Sequence, residues 1–329
     1  MVDLRVTRAR RIYSDGQHNA FTSIARLGDT ATVAFRSATT HISFDGTIKL
    51  IQSPDMETWA VTAELALPSV DLRDPKVVAF QGQLLVFCGG REPSRLGSFV
   101  SLSADGQRFG AVTPLQGIPA GYWLWSIVSF EGALYGSAYT SRADEHELSL
   151  YRSDDGVGWE KLADFPVSGN ETAIDFDAEG RLWALVRDDG HGSVPTLCAA
   201  EPPYRSFASY LRLPIRLQGP MLKRLPGVCV IAGRRWDQPG RTNLRTDLFV
   251  LEDGQDIRFV RSLPSGGDTS YAGWLDTAPG RAVISYYSAH EHKMDAPAVE
   301  DQQARRSVAH AEHTTPADIY LADVSYALR

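Results

Sequence analysis

Short runs in which Val, Ile, Leu, Phe, Tyr and Trp alternate with polar residues recur along the chain, broken roughly every eight to twelve residues by Gly, Asp or Pro. A period of two sends alternate side chains to opposite faces, so the pattern predicts strands throughout and an all-β fold. Internal repetition narrows the architecture. Ser53-Pro54-Asp55-Met56-Glu57-Thr58-Trp59 returns as Ser103-Ala104-Asp105-Gly106-Gln107-Arg108-Phe109 and again as Ser153-Asp154-Asp155-Gly156-Val157-Gly158-Trp159, with fifty residues between successive serines. A unit of that length holds about four strands, the content of one β-propeller blade. A second marker, the ends of the expected second strands, falls at Arg36, Arg91, Tyr139, Arg187, Arg234 and Tyr286, at intervals of 55, 48, 48, 47 and 52. Six antiparallel blades of about fifty residues account for most of the 329, and predict a single propeller domain over residues 1–329.

The last blade is irregular. After Asp268 only three strands are legible, around Tyr271 to Leu275, Ala282 to Tyr287 and Ile319 to Val324. The N-terminal run Leu4 to Tyr13 can supply the fourth and cover an edge that would otherwise invite pairing with another chain. Between the second and third of these strands lies a polar insertion, residues 289–317, carrying His290, His292, His310 and His313. It reads either as a lid or partner loop or as a disordered surface segment.

Composition then removes whole classes of function. With 43% hydrophobic and 22% charged residues the chain can build a large core, and its formal charge of -7, without any block of basic residues, argues against nucleic-acid or membrane-surface partners. Cys88, Cys198 and Cys229 stand far apart in apolar runs, with no C-x-x-C, so neither a disulfide framework nor structural zinc is expected. His310-x-x-His313 lacks a companion ligand and reads as surface loop, and no metal or cofactor is expected. The N-terminus has no apolar signal-like core and no run of 18 apolar residues occurs, which predicts a cytoplasmic protein.

In an antiparallel blade the start of the innermost strand and the end of the second share one edge, because the second strand returns where the first began. The strand starts contribute His18, Asp74, Trp125, Glu171, Gln218 and Tyr271 to the mouth of the central channel, and the strand ends contribute Arg36, Arg91, Arg187, Arg234 and Tyr286 to Tyr287, with Asp268 adjoining. Four arginines around one opening suit an anionic small ligand, since the guanidinium fork matches carboxylate oxygens. The competing reading is structural: the same arginines pair with Asp71, Asp74, Glu171 or Asp268 and lock blades together. The Ser-x-Asp turns, placed between third and fourth strands, are assigned to structure, and Gly266-Gly267-Asp268 is too generic to imply a phosphate loop.

These residues resemble the sialidase superfamily of six-bladed propellers with Asp-box (BNR) repeats. The three Ser-x-Asp turns resemble its repeat, Arg73-Asp74-Pro75 its second-blade start, Asn170-Glu171-Thr172 with Arg187 its glutamate and arginine, Arg245-Thr246-Asp247-Leu248 its next carboxylate-binding arginine, and Thr269-Ser270-Tyr271-Ala272 its nucleophile strand. The resemblance implies an exo-glycosidase that releases a terminal anionic sugar with retention, Tyr271 attacking the anomeric carbon, Glu171 taking its proton, and Arg187 and Arg245 clamping a carboxylate. Two positions depart from the family. Its first-blade arginine is replaced by His18-Asn19-Ala20-Phe21-Thr22, while Arg36 matches a different family arginine. The loop that carries its acid/base aspartate here offers only His41 and Asp45, and Asp45-Gly46 reads as a turn, so His41 or Asp74 are alternative proton donors. Two other functions stay open: a non-catalytic carbohydrate-binding propeller using the arginines with Trp123, Trp125 and Tyr287, and a lyase or other glycosidase using His18, His41 and Tyr271. In each the partner is a small molecule or oligosaccharide.

Overall fold

The computed structural model describes residues 2–92, 95–140, 147–189, 194–207, 209–237, 242–252, 256–292 and 316–328. They form six four-stranded antiparallel sheets. The innermost strands are His18–Leu27, Asp71–Phe80, Tyr122–Phe130, Thr172–Phe176, Gln218–Leu225 and Thr269–Ala278, opening blades I to VI in chain order. Each packs against the inner strands of both neighbouring blades, so the sheets close a ring around an axial channel. This is the expected six-bladed propeller. Its core lies between the blades: Val230, Leu248, Ile284, Tyr286 and Ala322, for example, fill the space between blades V and VI. A blade buries both faces of its middle strands against its neighbours, as in Thr30–Ala38, and lets its outer strand, such as Ala60–Leu65, meet water.

Blade VI closes as anticipated. Its order from the axis outward is Thr269–Ala278, Arg281–Ser288, Asp318–Leu328 and Val2–Tyr13, the last two pairing from Val2 opposite Leu328 to Tyr13 opposite Ile319. Most of the 289–317 insertion, including His310 and His313, lies outside the described residues; at its start His290–His292 forms a single 3-10 turn. Among the described residues no helix is long and apolar enough to cross a membrane.

The three repeated turns join third and fourth strands of blades I to III. In each, one aspartate oxygen accepts two successive backbone N–H groups: Asp55 Oδ1 from Glu57 and Thr58, Asp105 Oδ1 from Gln107 and Arg108, Asp155 Oδ1 from Val157 and Gly158, all at 2.8 to 2.9 Å. The residue after the aspartate, Met56, Gly106 or Gly156, is left-handed, with φ of 64°, 72° and 81°. Each turn docks on the preceding blade. Arg10 Nη2 donates to Met56 O at 2.7 Å, Gln52 Nε2 donates to Gly106 O at 2.6 Å, and a Cβ on Gly156 would stand 2.3 Å from Leu85 Cδ2.

Gly28 provides a control for that last contact, having a left-handed φ of 57° with no atom within 4 Å of its missing Cβ. Gly28→Ala should cost about 1 kcal/mol for the backbone alone, whereas Gly156→Ala adds overpacking and should cost roughly 2–4 kcal/mol. Equal losses in urea denaturation would show that the turn does not depend on the blade it touches.

Candidate active site

The site is built by backbone irregularity. In blades I, II, V and VI the inner strand carries a two-for-one bulge, marked by register shifts at Ala20/Ser23, Arg73/Lys76, Gln218/Met221 and Ser270/Gly273. The first bulged residue in each is left-handed: Phe21 (φ 63°), Asp74 (48°), Gly219 (55°) and Tyr271 (51°). A non-glycine residue in that region costs about 1–3 kcal/mol, so three of the four are held against their own preference by the surrounding ring. Blade III has a smaller shift beside Trp125, and blade IV none, its Glu171 standing just before the strand. The bulges gather Phe21, Asp74, Trp125, Glu171 and Tyr271 at one end of the channel. Adjacent inner strands are tied there by Thr22 Oγ1 donating to Tyr271 O at 2.7 Å. Gly219 is required by contact as well, since a Cβ would lie 2.5 Å from Ser270 Oγ and 3.1 Å from the Tyr271 ring.

Tyr271 Oη donates a short hydrogen bond to Glu171 Oε1, and Arg187 Nη1 forms a short ion pair with Glu171 Oε2, which also accepts from the Gly219 N–H at 3.1 Å. Asp189 holds Arg187 from behind through Nε at 3.0 Å and is itself fixed by Gln218 Nε2 at 2.8 Å. Burial, reinforced by the charges of Glu171 and Asp74 and opposed by Arg187, keeps the Tyr271 phenol well above its ordinary pKa of 10, so its proton stays on the oxygen facing Glu171 until something stabilises the phenolate. Phe21 and Trp125 wall the ring, with centroids 4.7 and 5.8 Å away.

Asp74 lies in the same enclosure. Burial pushes its carboxyl up to about 6; Glu171 adds to the push, while Arg73, Lys76 and Arg36 oppose it. Its Oδ1 is buried without a hydrogen-bond partner. Beneath the rings the axial channel widens to about 380 Å³, lined by Lys76, Trp125, Asp175, Lys223, Trp274 and Asp276 among others. Lys76 Nζ stands 4.3 Å over the Trp125 ring and 5.7 Å from that of Tyr271.

A second node centres on Asp268. Its Oδ1 accepts from Arg234 Nη2 at 2.9 Å and Tyr287 Oη at 2.8 Å, while its Oδ2 faces His18 Nε2 at 2.8 Å and His41 Nδ1 at 2.5 Å. Burial would raise this carboxyl, but His41, His18 and Arg234 outweigh it and hold the pKa well below the carboxylate range. Burial pulls the His41 imidazole down to about 4 against the attraction of Asp268.

His41 is positioned by its backbone. Four successive carbonyls, of Thr40, His41, Ile42 and Ser43, accept from Arg36 Nη1 (3.0 Å), Arg73 Nη1 (2.9 Å), Arg91 Nη2 (2.9 Å) and Arg36 Nη2 (2.8 Å). The three guanidiniums meet at Asp71, whose oxygens lie 2.8, 3.1 and 3.8 Å from Arg36 Nε, Arg73 Nη1 and Arg91 Nε. Gly46 makes room for this hub, because a Cβ there would stand 2.1 Å from Asp71 Oδ1.

The expected residues therefore divide. Tyr271, Glu171, Arg187, Asp74 and Trp125 converge, and His18, His41, Asp268, Arg234 and Tyr287 form the adjoining node. Arg36, fully buried, and Arg91 are committed to the loop, as the structural reading of the arginines expected. Asp45 is exposed and accepts from the Thr39 N–H at 3.2 Å, a contact within its turn. Arg245 bonds Asp237 Oδ1 and Asn243 O, each at 3.0 Å, and stands 3.3 Å from Asp247, while Arg234 stands near Arg187. Of the two tyrosines at the end of the second strand of blade VI, Tyr287 faces the node and Tyr286 packs between blades against Tyr320. Sequence reasoning missed Phe21, Lys76 and Asp189. Asp189, two residues beyond Arg187, was the most accessible of these, being the nearest carboxylate that could steady it.

No family model matches the chain, and no curated protein matches it in sequence. Solved structures do. A protein of unknown function from Dyadobacter fermentans superposes with a TM-score of 0.77 at 16% identity, covering 98% of this chain and 99% of that one. The endosialidase of phage phi92 gives 0.75 at 10% identity, covering 98% and 69%. A mutant Trypanosoma rangeli sialidase displaying trans-sialidase activity gives 0.67 at 12% identity, covering 98% of this chain but 58% of its own. The chain has a sialidase-like propeller fold. At these identities the likeness concerns architecture alone, and the sialidase-like propeller can be compared with its neighbours blade by blade but not residue role by residue role.

The Asp74 environment has a thermodynamic signature. The folded carboxyl keeps its proton up to about pH 6, whereas an unfolded aspartate releases it near 3.9. Stability from this group is thus lost as pH rises from about 4 to about 6, by up to about 3 kcal/mol. Asp74→Asn should gain stability relative to the parent at pH 7.5 and little at pH 4, as read by denaturant melts at both pH values; a pH-independent difference would contradict the assigned burial.

Proposed function

We propose that the protein is a sialidase-like exo-glycosidase that hydrolyses a terminal, anionic sugar with Tyr271 as nucleophile. The observation that carries this reading is the Tyr271 to Glu171 hydrogen bond, with Arg187 on the other carboxylate oxygen. A neutral phenol approaches an anomeric centre bearing a carboxylate without the repulsion a carboxylate nucleophile would meet, and Glu171 accepts the phenolic proton as the bond to the sugar forms. Arg187 balances the negative charge that the pair carries before the bond forms. Asp74 is the proton donor to the leaving oxygen: it holds a proton to about pH 6 and has an oxygen without a partner, whereas the facing nitrogen of His41 is engaged with Asp268. Water returning along the same path, with Asp74 as base, completes hydrolysis with retention.

One observation favours a second reading, a carbohydrate-binding propeller without turnover. Arg187 and Arg234 already face carboxylates, and the remaining arginine-rich wall is occupied with loop carbonyls. A substrate carboxylate must then compete for its donors.

Incubation with a panel of sialic acids, keto-deoxy sugar acids and uronides in glycosidic linkage separates the two. Under the enzymatic reading Tyr271→Phe loses about a thousandfold or more in turnover with little change in affinity, and Glu171→Gln behaves similarly. Ligand binding by calorimetry with no released sugar from the parent protein would leave only the binding module.

The pH profile is a further check. A donor that must be protonated loses function as pH rises through about 6, so the alkaline limb of kcat should lie near that value and vanish from the residual activity of Asp74→Asn. An unchanged limb in the variant would assign the proton to another group.

A further inference from the structure

The Asp268 node carries more than a hydrogen-bond network needs. Two imidazole nitrogens from separate segments, His18 at the start of the inner strand of blade I and His41 in the loop after its second strand, converge on the same oxygen of a third segment's carboxylate. The three donor atoms lie within 4.8 Å of one another. Two are fixed from outside the cluster, His41 by the arginine clamp on four loop carbonyls and Asp268 by Arg234 and Tyr287 on its other oxygen, while His18 is wholly buried with its Nδ1 lacking a hydrogen-bond partner. Phe21 and Tyr287 close the sides, with ring centroids 5.3 Å from His41 and 6.2 Å from His18. His41, at 18% side-chain exposure, is the one member open to the rim.

We infer that His18 Nε2, His41 Nδ1 and Asp268 Oδ2 bind a single divalent transition-metal ion of the zinc class. Two imidazoles and one carboxylate suit such an ion, leaving a position for water or a ligand oxygen. Donors around a tetrahedral ion of this kind lie about 3.3 Å apart, so the 2.8 and 2.5 Å separations open by less than 1 Å on loading. Calcium and magnesium are disfavoured, because they require mostly oxygen donors and two of the three donors here are imidazole nitrogens. The partner carboxylate remains bound to Arg234 and Tyr287, the outer contacts that orient a ligating group.

Binding of cobalt(II), as a visible probe, and of zinc to the full-length protein tests this without reference to glycosidase activity. The parent should take up one equivalent with visible absorption bands, and His41→Gln should weaken binding by about a hundredfold while melting like the parent. A variant with His290, His292, His310 and His313 all changed to Ala should bind as the parent does. Zinc X-ray absorption on that loop variant should report two imidazoles, which keeps the test decisive even if His41→Gln is unstable. No uptake by the parent, undiminished uptake by a folded His41→Gln, or loss of the site in the loop variant would overturn the assignment. Failure of the sugar panel with intact metal binding would instead count against the glycosidase reading alone.

Discussion

Everything at the mouth of this propeller depends on a strained piece of backbone used four times. Where the inner strand of a blade begins, a two-for-one bulge turns one residue left-handed and aims it at the axis, and in three blades that residue is Phe21, Asp74 or Tyr271, none of which favours the conformation. The ring tolerates this because six inner strands brace one another there, with side-chain hydroxyls such as Thr22 bridging neighbouring blades. The same strain brings the nucleophile candidate to a glutamate a hundred residues away.

Charge at the mouth is organised in closed sets. Asp71 gathers Arg36, Arg73 and Arg91; Glu171 and Asp189 share Arg187; Asp268 holds Arg234 with two histidines. Nearly all of these groups are buried, where an uncompensated charge costs several kcal/mol, and only Asp74 is left with an oxygen lacking a partner and a pKa near neutrality. A chain of net charge -7 can therefore place a dense cluster of arginines at one opening without creating a strongly positive pocket.

The propeller was legible in the sequence because its repeat is local chemistry. A serine and an aspartate two residues apart write their turn into any copy of the motif, and the fifty-residue step between Ser53, Ser103 and Ser153 counts blades without reference to tertiary contacts. Tyr271 and Glu171 were legible only through the resemblance, since nothing local links residues from blades VI and IV. The bulges left no trace except Gly219, because Phe21, Asp74 and Tyr271 are not residues from which positive φ is read. The destination of the arginines was half legible. Residue type gives the number of donors but not their acceptors, so Arg36 and Arg91 drew the same expectation as Arg234, and the contacts of Arg245 with Asp237 and Asp247 were not readable.

The docking of each aspartate turn on the blade before it has an asymmetric outcome. Three seams, from VI to I, I to II and II to III, carry this fastening, whereas the remaining three lack a docked turn and are joined by contacts such as Ser137 to Thr172 O, Gly219 N–H to Glu171 and Arg234 to Asp268, with the apolar layer between blades V and VI. Asp74 belongs to the riveted half. Tyr271 is joined to it through blade I, whereas Tyr271 and Glu171 stand at opposite ends of the other half, so their hydrogen bond is the contact that feels how far the unriveted arc can breathe.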